Sequence, residues 1–339
     1  MLEDSRAMMP PLRITQLLHA RWALEALRAA VQLGVFAALA GQAKTAAQLS
    51  SELSASREGM QLLLNALVSL DYLQKDGDRY ALSEVSRLYL LPGQALFLGD
   101  YLADNRVSEA WTKIGDSIRS GKPINNVNQE AKAEEFFPKL AASIFPLNYG
   151  TAHIVASELR VDELPAGARV LDVAAGSAVW SLPFAERNKN VEVDALDFPA
   201  VLEVAKDFAE RHGVAERFSY ISGNWSDCRF EDSKYDVVCL GHILHSEGKM
   251  RSIDLLKECF RTLKHGGRIV IAEMISDDER VSAPFSQLFA LNMFLLTDDG
   301  CVFAEGELRE MLSDIGFRDV YRPKLQYWGD ESPVMIATK

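Results

Sequence analysis

From Arg169 onward, short apolar runs alternate with amphipathic stretches. The runs Val170–Val173, Val191–Leu196, Phe218–Ser222, Tyr235–Leu240 and Arg268–Glu273 read as strands. The stretches Ser181–Asn188, Ala200–His212, Met250–Leu263 and Glu305–Ile315 read as helices. Near-continuous apolar runs belong to strands buried on both faces. Their alternation with helices predicts a mostly parallel, doubly wound sheet. His265-Gly266-Gly267 marks a helix stop before the fifth strand. Ligands of such sheets sit outside the carboxyl ends of the strands.

The first half of the chain has another pattern. Ile14–Leu39 predicts a helix punctuated by Gly34 and Gly41, with Leu17, Leu18, Trp22, Leu24, Leu27, Val31 and Phe36 making a broad apolar face. So apolar a helix needs the rest of the fold or a partner subunit to cover it. Thr45–Leu53 and Arg57–Leu70 read as two further helices, the second capped by Ser56, and Tyr72–Leu82 as a hairpin turning at Asp76-Gly77. Helix, helix, hairpin is a winged-helix pattern. Between Lys44 and Tyr89, however, five Lys and Arg face six Asp and Glu, so the basic stripe that phosphate contacts require is missing. A packing or dimerisation module is the better reading than a DNA-binding regulator. Ser83–Leu159 reads as mostly helical, with Gly121–Glu134 as a loop and a break expected at Pro146. We therefore expect a winged-helix-like domain over residues 1–105 and an α/β domain over 106–339, with 106–160 as a helical linker and pocket region.

Candidate chemistry gathers at the strand ends. After the strand ending in Leu171-Asp172-Val173 come Ala174-Ala175-Gly176-Ser177-Ala178, a run of very small residues that lets a ligand approach the backbone. The next strand ends in Asp197, where an acid can accept both hydroxyls of a ribose. With Gly176 as the single glycine of the turn, the three-glycine spacing of a dinucleotide site is missing, so a single nucleoside fits better than NAD or FAD. Asn224 with Trp225, and His242 to His245, follow later strands.

Net charge is −12, which argues against a nucleic-acid partner. Cys228, Cys239, Cys259 and Cys301 have no C-x-x-C spacing, which suggests a reducing compartment and no zinc site; no metal is expected. The first residues carry no signal-like apolar core and no run is long enough to span a bilayer, so a cytoplasmic protein is expected.

Taken in order, Leu171-Asp-Val-Ala-Ala-Gly-Ser-Ala178, Leu196-Asp-Phe-Pro199, Ser222-Gly-Asn-Trp225, Leu240-Gly-His-Ile-Leu-His245, Leu263-Lys-His-Gly-Gly267 and Ile271-Ala-Glu273 resemble the motifs of class I S-adenosylmethionine-dependent methyltransferases. Over almost its whole length the chain is similar to the small-molecule O-methyltransferases of plants and bacteria, which place a winged-helix dimerisation domain before a Rossmann-like methyltransferase domain. The resemblance implies a homodimer through the N-terminal helices and S-adenosylmethionine as cofactor, released as S-adenosylhomocysteine. It implies cofactor contacts from Asp172, Ala174, Gly176, Asp197, Phe198, Asn224, Trp225 and Gly241. It makes His245 the general base, with Glu273 orienting it, and gives His242, Asn292 and Met293 to the substrate. The expected reaction is O-methylation of a small aromatic or polyketide-like natural product. Alternatives on the same scaffold are N- or C-methylation, or non-methylating hydroxylase and pericyclase chemistry. Three departures stand out: alanine replaces glycine at Ala174, Ala175 and Ala178, Ser246 follows the histidine where the family has Asp, and Val302 lies near the place of a second acid. Blander readings stand beside these. A histidine after a strand is often structural, His242 and Met293 suit a pocket wall or core, and Trp225 suits a core. Glu273 ends a buried strand, where an unpaired charge would be costly, so it needs a partner and His245 is the obvious candidate, with Glu247 a rival partner for His245 or a solvated helix cap.

Overall fold

The computed structural model describes residues 11–124, 126–127, 130–325 and 333–339, at 130–135 for the backbone alone. Two compact units meet between Asn105 and Arg106.

In the first unit the N-terminal helical pattern is split in two. Helix α1 (Leu12–Gln32) stops where Gly34 adopts φ 77°, and α2 (Val35–Ala38) follows. The left-handed glycine turns the chain so that Val35, Phe36 and Leu39 enter the core that α1 reaches through Leu27, Ala30 and the half-buried Val31. Strand β1 (Lys44–Thr45), α3 (Ala46–Glu52), α4 (Arg57–Ser69), β2 (Leu73–Asp76) and β3 (Arg79–Leu82) come next. Ser56 caps α4, its hydroxyl accepting from the Gly59 amide at 3.2 Å. The hairpin turns as Asp76-Gly77 predicts, pairing Asp76 with Arg79 across Gly77 at φ 57°. The three strands pair in the order β1-β3-β2, and α5 (Glu84–Tyr89) and α6 (Gly99–Ala103) complete the unit. Within it α1 leaves Leu17 and Trp22 exposed at 75% and 68%, with Leu12, Ile14 and Leu18 beside them.

The second unit opens with α7 (Arg106–Trp111) and α8 (Ile114–Ser120). The loop read over Gly121–Glu134 is shorter than expected, because α9 (Glu130–Glu158) begins at Glu130; residues 125 and 128–129 of that reading lie outside the described residues. The break expected at Pro146 does not occur: α9 continues through both Pro138 and Pro146. An interior proline costs a helix about 3 kcal/mol. Here Phe145, Ala152, Val155 and Ala156 bury the helix in one continuous core on both sides of Pro146, which holds it together.

Next come β4 (Arg169–Val173), α10 (Leu182–Arg187), β5 (Glu192–Asp197), α11 (Pro199–Arg211), β6 (Phe218–Ser222) and β7 (Tyr235–Gly241). They are followed by α12 (Leu244–Thr262), β8 (Leu263–Ala272), α13 (Pro284–Leu296), α14 (Glu305–Ile315), β9 (Arg318–Tyr321) and β10 (Val334–Thr338). The sheet order is β6-β5-β4-β7-β8-β10-β9, with β6 to β8 parallel and the last two strands antiparallel. Five strands were expected, and β9 and β10 extend the sheet beyond them. Helix α12 begins six residues before the expected Met250, and the His265-Gly266-Gly267 turn is an irregularity inside β8, where the register with β7 shifts.

Strand periodicity splits the core. Val170, Val237, Cys239, Val270 and Ile336 face one side, and Leu171, Val238, Leu240, Ile271 and Met335 the other. The first side is covered by α9, α10 and α11 and the second by α12 and α14. The strand order reverses between β4 and β7, so their carboxyl ends open onto the crevice where ligands of such sheets bind.

Candidate active site

The turn leaving β4 lies at that crevice. Ala174, Gly176 and Ala178 all adopt positive φ, at 55°, 60° and 58°. Only glycine does so without strain; each alanine costs about 1 kcal/mol. The turn is tied to β5, for the Ala175 amide donates to the Leu196 carbonyl at 3.0 Å and the Gly176 amide to Asp197 Oδ2 at 2.8 Å. The other Asp197 oxygen accepts from the Phe198 amide at 2.7 Å. Burial pushes the Asp197 pKa up to about 6, against the pull of those two donors. Asp172 lies beneath the turn, with Oδ2 accepting from the Ser181 hydroxyl at 2.5 Å. Burial pushes its pKa up to about 7, opposed by Ser181 and reinforced by the charge of Asp197. Asp172 Oδ1, Trp180 Nε1 and His242 Nδ1 are buried without a hydrogen-bond partner. Such atoms normally have one. A polar ligand at the turn would supply one to Asp172 Oδ1.

Across the crevice, Gly241 ends β7 with the Trp180 indole on its backbone. A Cβ at 241 would lie 2.1 Å from Trp180 Cδ1, so only glycine fits. His242 follows with φ 62°, and His245 lies in the first turn of α12. His245 Nδ1 is 2.7 Å from Glu273 Oε2, just past the end of β8, and the His245 amide donates to Glu273 Oε1 at 3.2 Å. Burial of Glu273 opposes its charge, but His245 outweighs it and the pKa falls below the ordinary glutamate value. An ionised carboxylate only accepts, so Nδ1 carries a ring proton, and in the neutral ring the lone pair is on Nε2. The Phe289 ring stands edge-on to His245 at 5.0 Å. His242 lies 6.1 Å from His245 ring to ring, with Nε2 3.3 Å from Asn148 Oδ1. Burial, reinforced by His245 and opposed by Glu273, takes the His242 pKa down to about 4, so this imidazole is neutral.

The remaining candidates are more dispersed. Asn224 Oδ1 accepts from the Ser226 amide at 3.1 Å and so caps a short 3-10 turn. Trp225 is buried in that turn, with the Arg251 guanidinium 5.1 Å from its ring. Asn292 on α13 accepts from Trp111 Nε1 at 2.8 Å, while Met293 is buried. Sequence reading missed Trp180, Asn148 and Phe289. The bulk of Trp180 directly after a small-residue run was a usable signal; the other two carried none.

Profiles of the O-methyltransferase domain and the O-methyltransferase dimerisation domain match residues 148–318 and 15–92. The chain is 24% identical over 322 residues to the 3-hydroxy-5-methyl-1-naphthoate 3-O-methyltransferase of Streptomyces sahachiroi, covering 91% of this chain and 90% of that protein. It is 26% identical over 321 residues to the tetracenomycin polyketide synthesis 8-O-methyl transferase of Streptomyces glaucescens, covering 91% of each. Among solved structures it is similar to human N-acetylserotonin methyltransferase in complex with SAM, at a TM-score of 0.80 and 22% identity over 98% of this chain and 99% of that one.

Proposed function

The chain belongs to the O-methyltransferase family and is an S-adenosylmethionine-dependent methyltransferase; from there we propose that it methylates a hydroxyl of a small aromatic or polyketide-like acceptor, with His245 as general base. The observation that carries this reading is the His245–Glu273 pair at 2.7 Å beside the crevice. The naphthoate and polyketide named for its relatives support the acceptor class.

The residues at the turn fit the cofactor. Asp197 spends one lone pair of each oxygen on a backbone amide and keeps the others for ribose hydroxyls. The small side chains at Ala174 and Gly176, with Phe198 and Gly241 at the neighbouring strand ends, leave the backbone approachable. Asp172 Oδ1 is a bare acceptor for the ammonium of the methionine portion. Asn224 and Trp225 are assigned to the adenine. S-adenosylmethionine, when bound, supplies a methyl group on a positively charged sulfur, open to in-line attack.

The chain contributes position and a proton acceptor. His242, Asn292 and Met293 contact the acceptor and align its hydroxyl. His245 Nε2 takes the hydroxyl proton, and the Nδ1 proton held by Glu273 fixes the productive tautomer. Glu273 then stabilises the imidazolium, as a buried carboxylate beside the ring should. The apolar stripe of α1, together with the match to a dimerisation domain, supports a homodimer built through the N-terminal helices.

The test is methyl transfer from labelled S-adenosylmethionine to a panel of hydroxynaphthoates and hydroxylated polyketides. His245→Ala is expected to lower kcat by about 10²–10⁴-fold while calorimetry shows cofactor affinity nearly unchanged. Equal loss of both would sink the base assignment.

A further inference from the structure

Among the described residues, one set of histidine and carboxylate groups converges closely enough to share a cation. The ligand atoms of His242, His245 and Glu273 all lie within 4.8 Å of one another. Tetrahedral zinc, with bonds near 2.0–2.2 Å, spaces its ligands by about 3.3 Å. Small inward movements of the rings therefore complete a site of two imidazoles and one carboxylate, with a fourth position open to water. Cysteine spacing gave no hint of this, because the donors are His and Glu.

Two further observations point to a ligand. His242 Nδ1 is buried and has no partner, although a ring nitrogen in that state normally finds one. The His242 ring is also held from outside as metal ligands usually are, with Asn148 Oδ1 3.3 Å from its Nε2.

We propose that His242, His245 and Glu273 form a capture site for a divalent transition-metal cation of the zinc type, and that its occupation switches methyl transfer off. The second half rests on the reading of His245 as base. That role needs the proton on Nδ1 and a lone pair on Nε2. A cation on Nδ1 leaves the proton on Nε2, and a cation on Nε2 occupies the lone pair itself. Either way no nitrogen of His245 can accept a proton from the acceptor, and Glu273 is drawn away from its orienting bond. His242, which the base does not require, decides whether the cation is held.

The full chain, stripped with EDTA and desalted, is titrated with zinc chloride against a chromophoric chelator. The wild type should withdraw one equivalent of zinc that His242→Ala holds at least about tenfold more weakly. Glu273→Gln should weaken it likewise, and the exposed His265→Ala should not. Melting curves of each variant separate loss of the site from loss of the fold. Equal zinc affinity in wild type and in both folded variants, His242→Ala and Glu273→Gln, overturns the proposal, as does a wild type that withdraws none. In the second arm, zinc should inhibit methyl transfer over the concentration range in which it binds, and EDTA should restore it. Zinc held through His242 with turnover unaffected would overturn the inhibitory half and the base reading of His245, but leave the cation site standing.

Discussion

At the scale of single residues, the crevice collects groups in unfavourable states. Ala174 and Ala178 hold left-handed backbone, and Asp172 is a buried carboxyl with one bare oxygen. Burial pushes its pKa up to about 7, so the folded chain holds this proton more tightly than the unfolded chain does. Stability from this group is therefore greatest below about pH 4, where both states are protonated, and falls as pH rises towards 7. Asp172→Asn keeps the shape and removes the charge. It should raise thermal stability at pH 8 by about 1–4 kcal/mol and flatten the pH dependence of melting between pH 4 and 7. The same change should weaken cofactor binding in calorimetry. Much of the residue-level picture was readable in the chain, because Asp172, Asp197, His245 and Glu273 each sit at or just past a strand end. Asn148 and Phe289 were not, since each joins the site from a distant helix and only packing brings them there.

At the scale of elements, the turn bearing His245 is set off by a kink. Helix α12 is interrupted at Gly248, with φ 71° and ψ 171°, which separates the short turn bearing His245 from the long amphipathic segment. That backbone region is open to glycine alone. An added Cβ would also lie 2.8 Å from the Asp299 carbonyl oxygen. Gly248→Ala should therefore destabilise the protein by about 2–4 kcal/mol, seen as a lower melting temperature, and reduce kcat with it. A variant that melts like the wild type would refute this account of the kink. The turn bearing His245 was not read as helix because its residues continue no apolar period into Met250. Helix α13 escaped for the opposite reason: Phe285, Leu288, Leu291 and Phe294 leave it no polar face to set a phase. Strand β9 carries two charges in four residues, and β10 is only four apolar residues followed by Thr338. Neither pattern discriminates strand from loop at that length.

At the scale of the whole molecule, the two-part order of the chain was legible because hydrophobic periodicity changes near its middle. The apolar stripe of α1 was equally plain, and in the structure its first part, from Leu12 to Leu24, is exposed while Leu27 is buried. The homodimer proposed above predicts that Trp22→Glu, especially combined with Leu18→Glu, shifts the protein from dimer to monomer in light scattering at micromolar concentration. Burying a large apolar side chain contributes about 1.5–3 kcal/mol, and a two-fold interface counts it twice. A wild-type monomer under those conditions would contradict the dimer. The antiparallel end of the sheet bears on when the enzyme comes to exist during its synthesis. Strand β10 is last in chain order yet lies between β8 and β9, and the Glu273 amide donates to the carbonyl of Pro333 just ahead of it at 2.8 Å. A ribosome delivering this chain from its N-terminus makes His245 and Glu273 long before the strand that anchors one of them. The nascent protein thus carries every residue of its candidate active site before the strand that pairs with β8 beside Glu273 has been made.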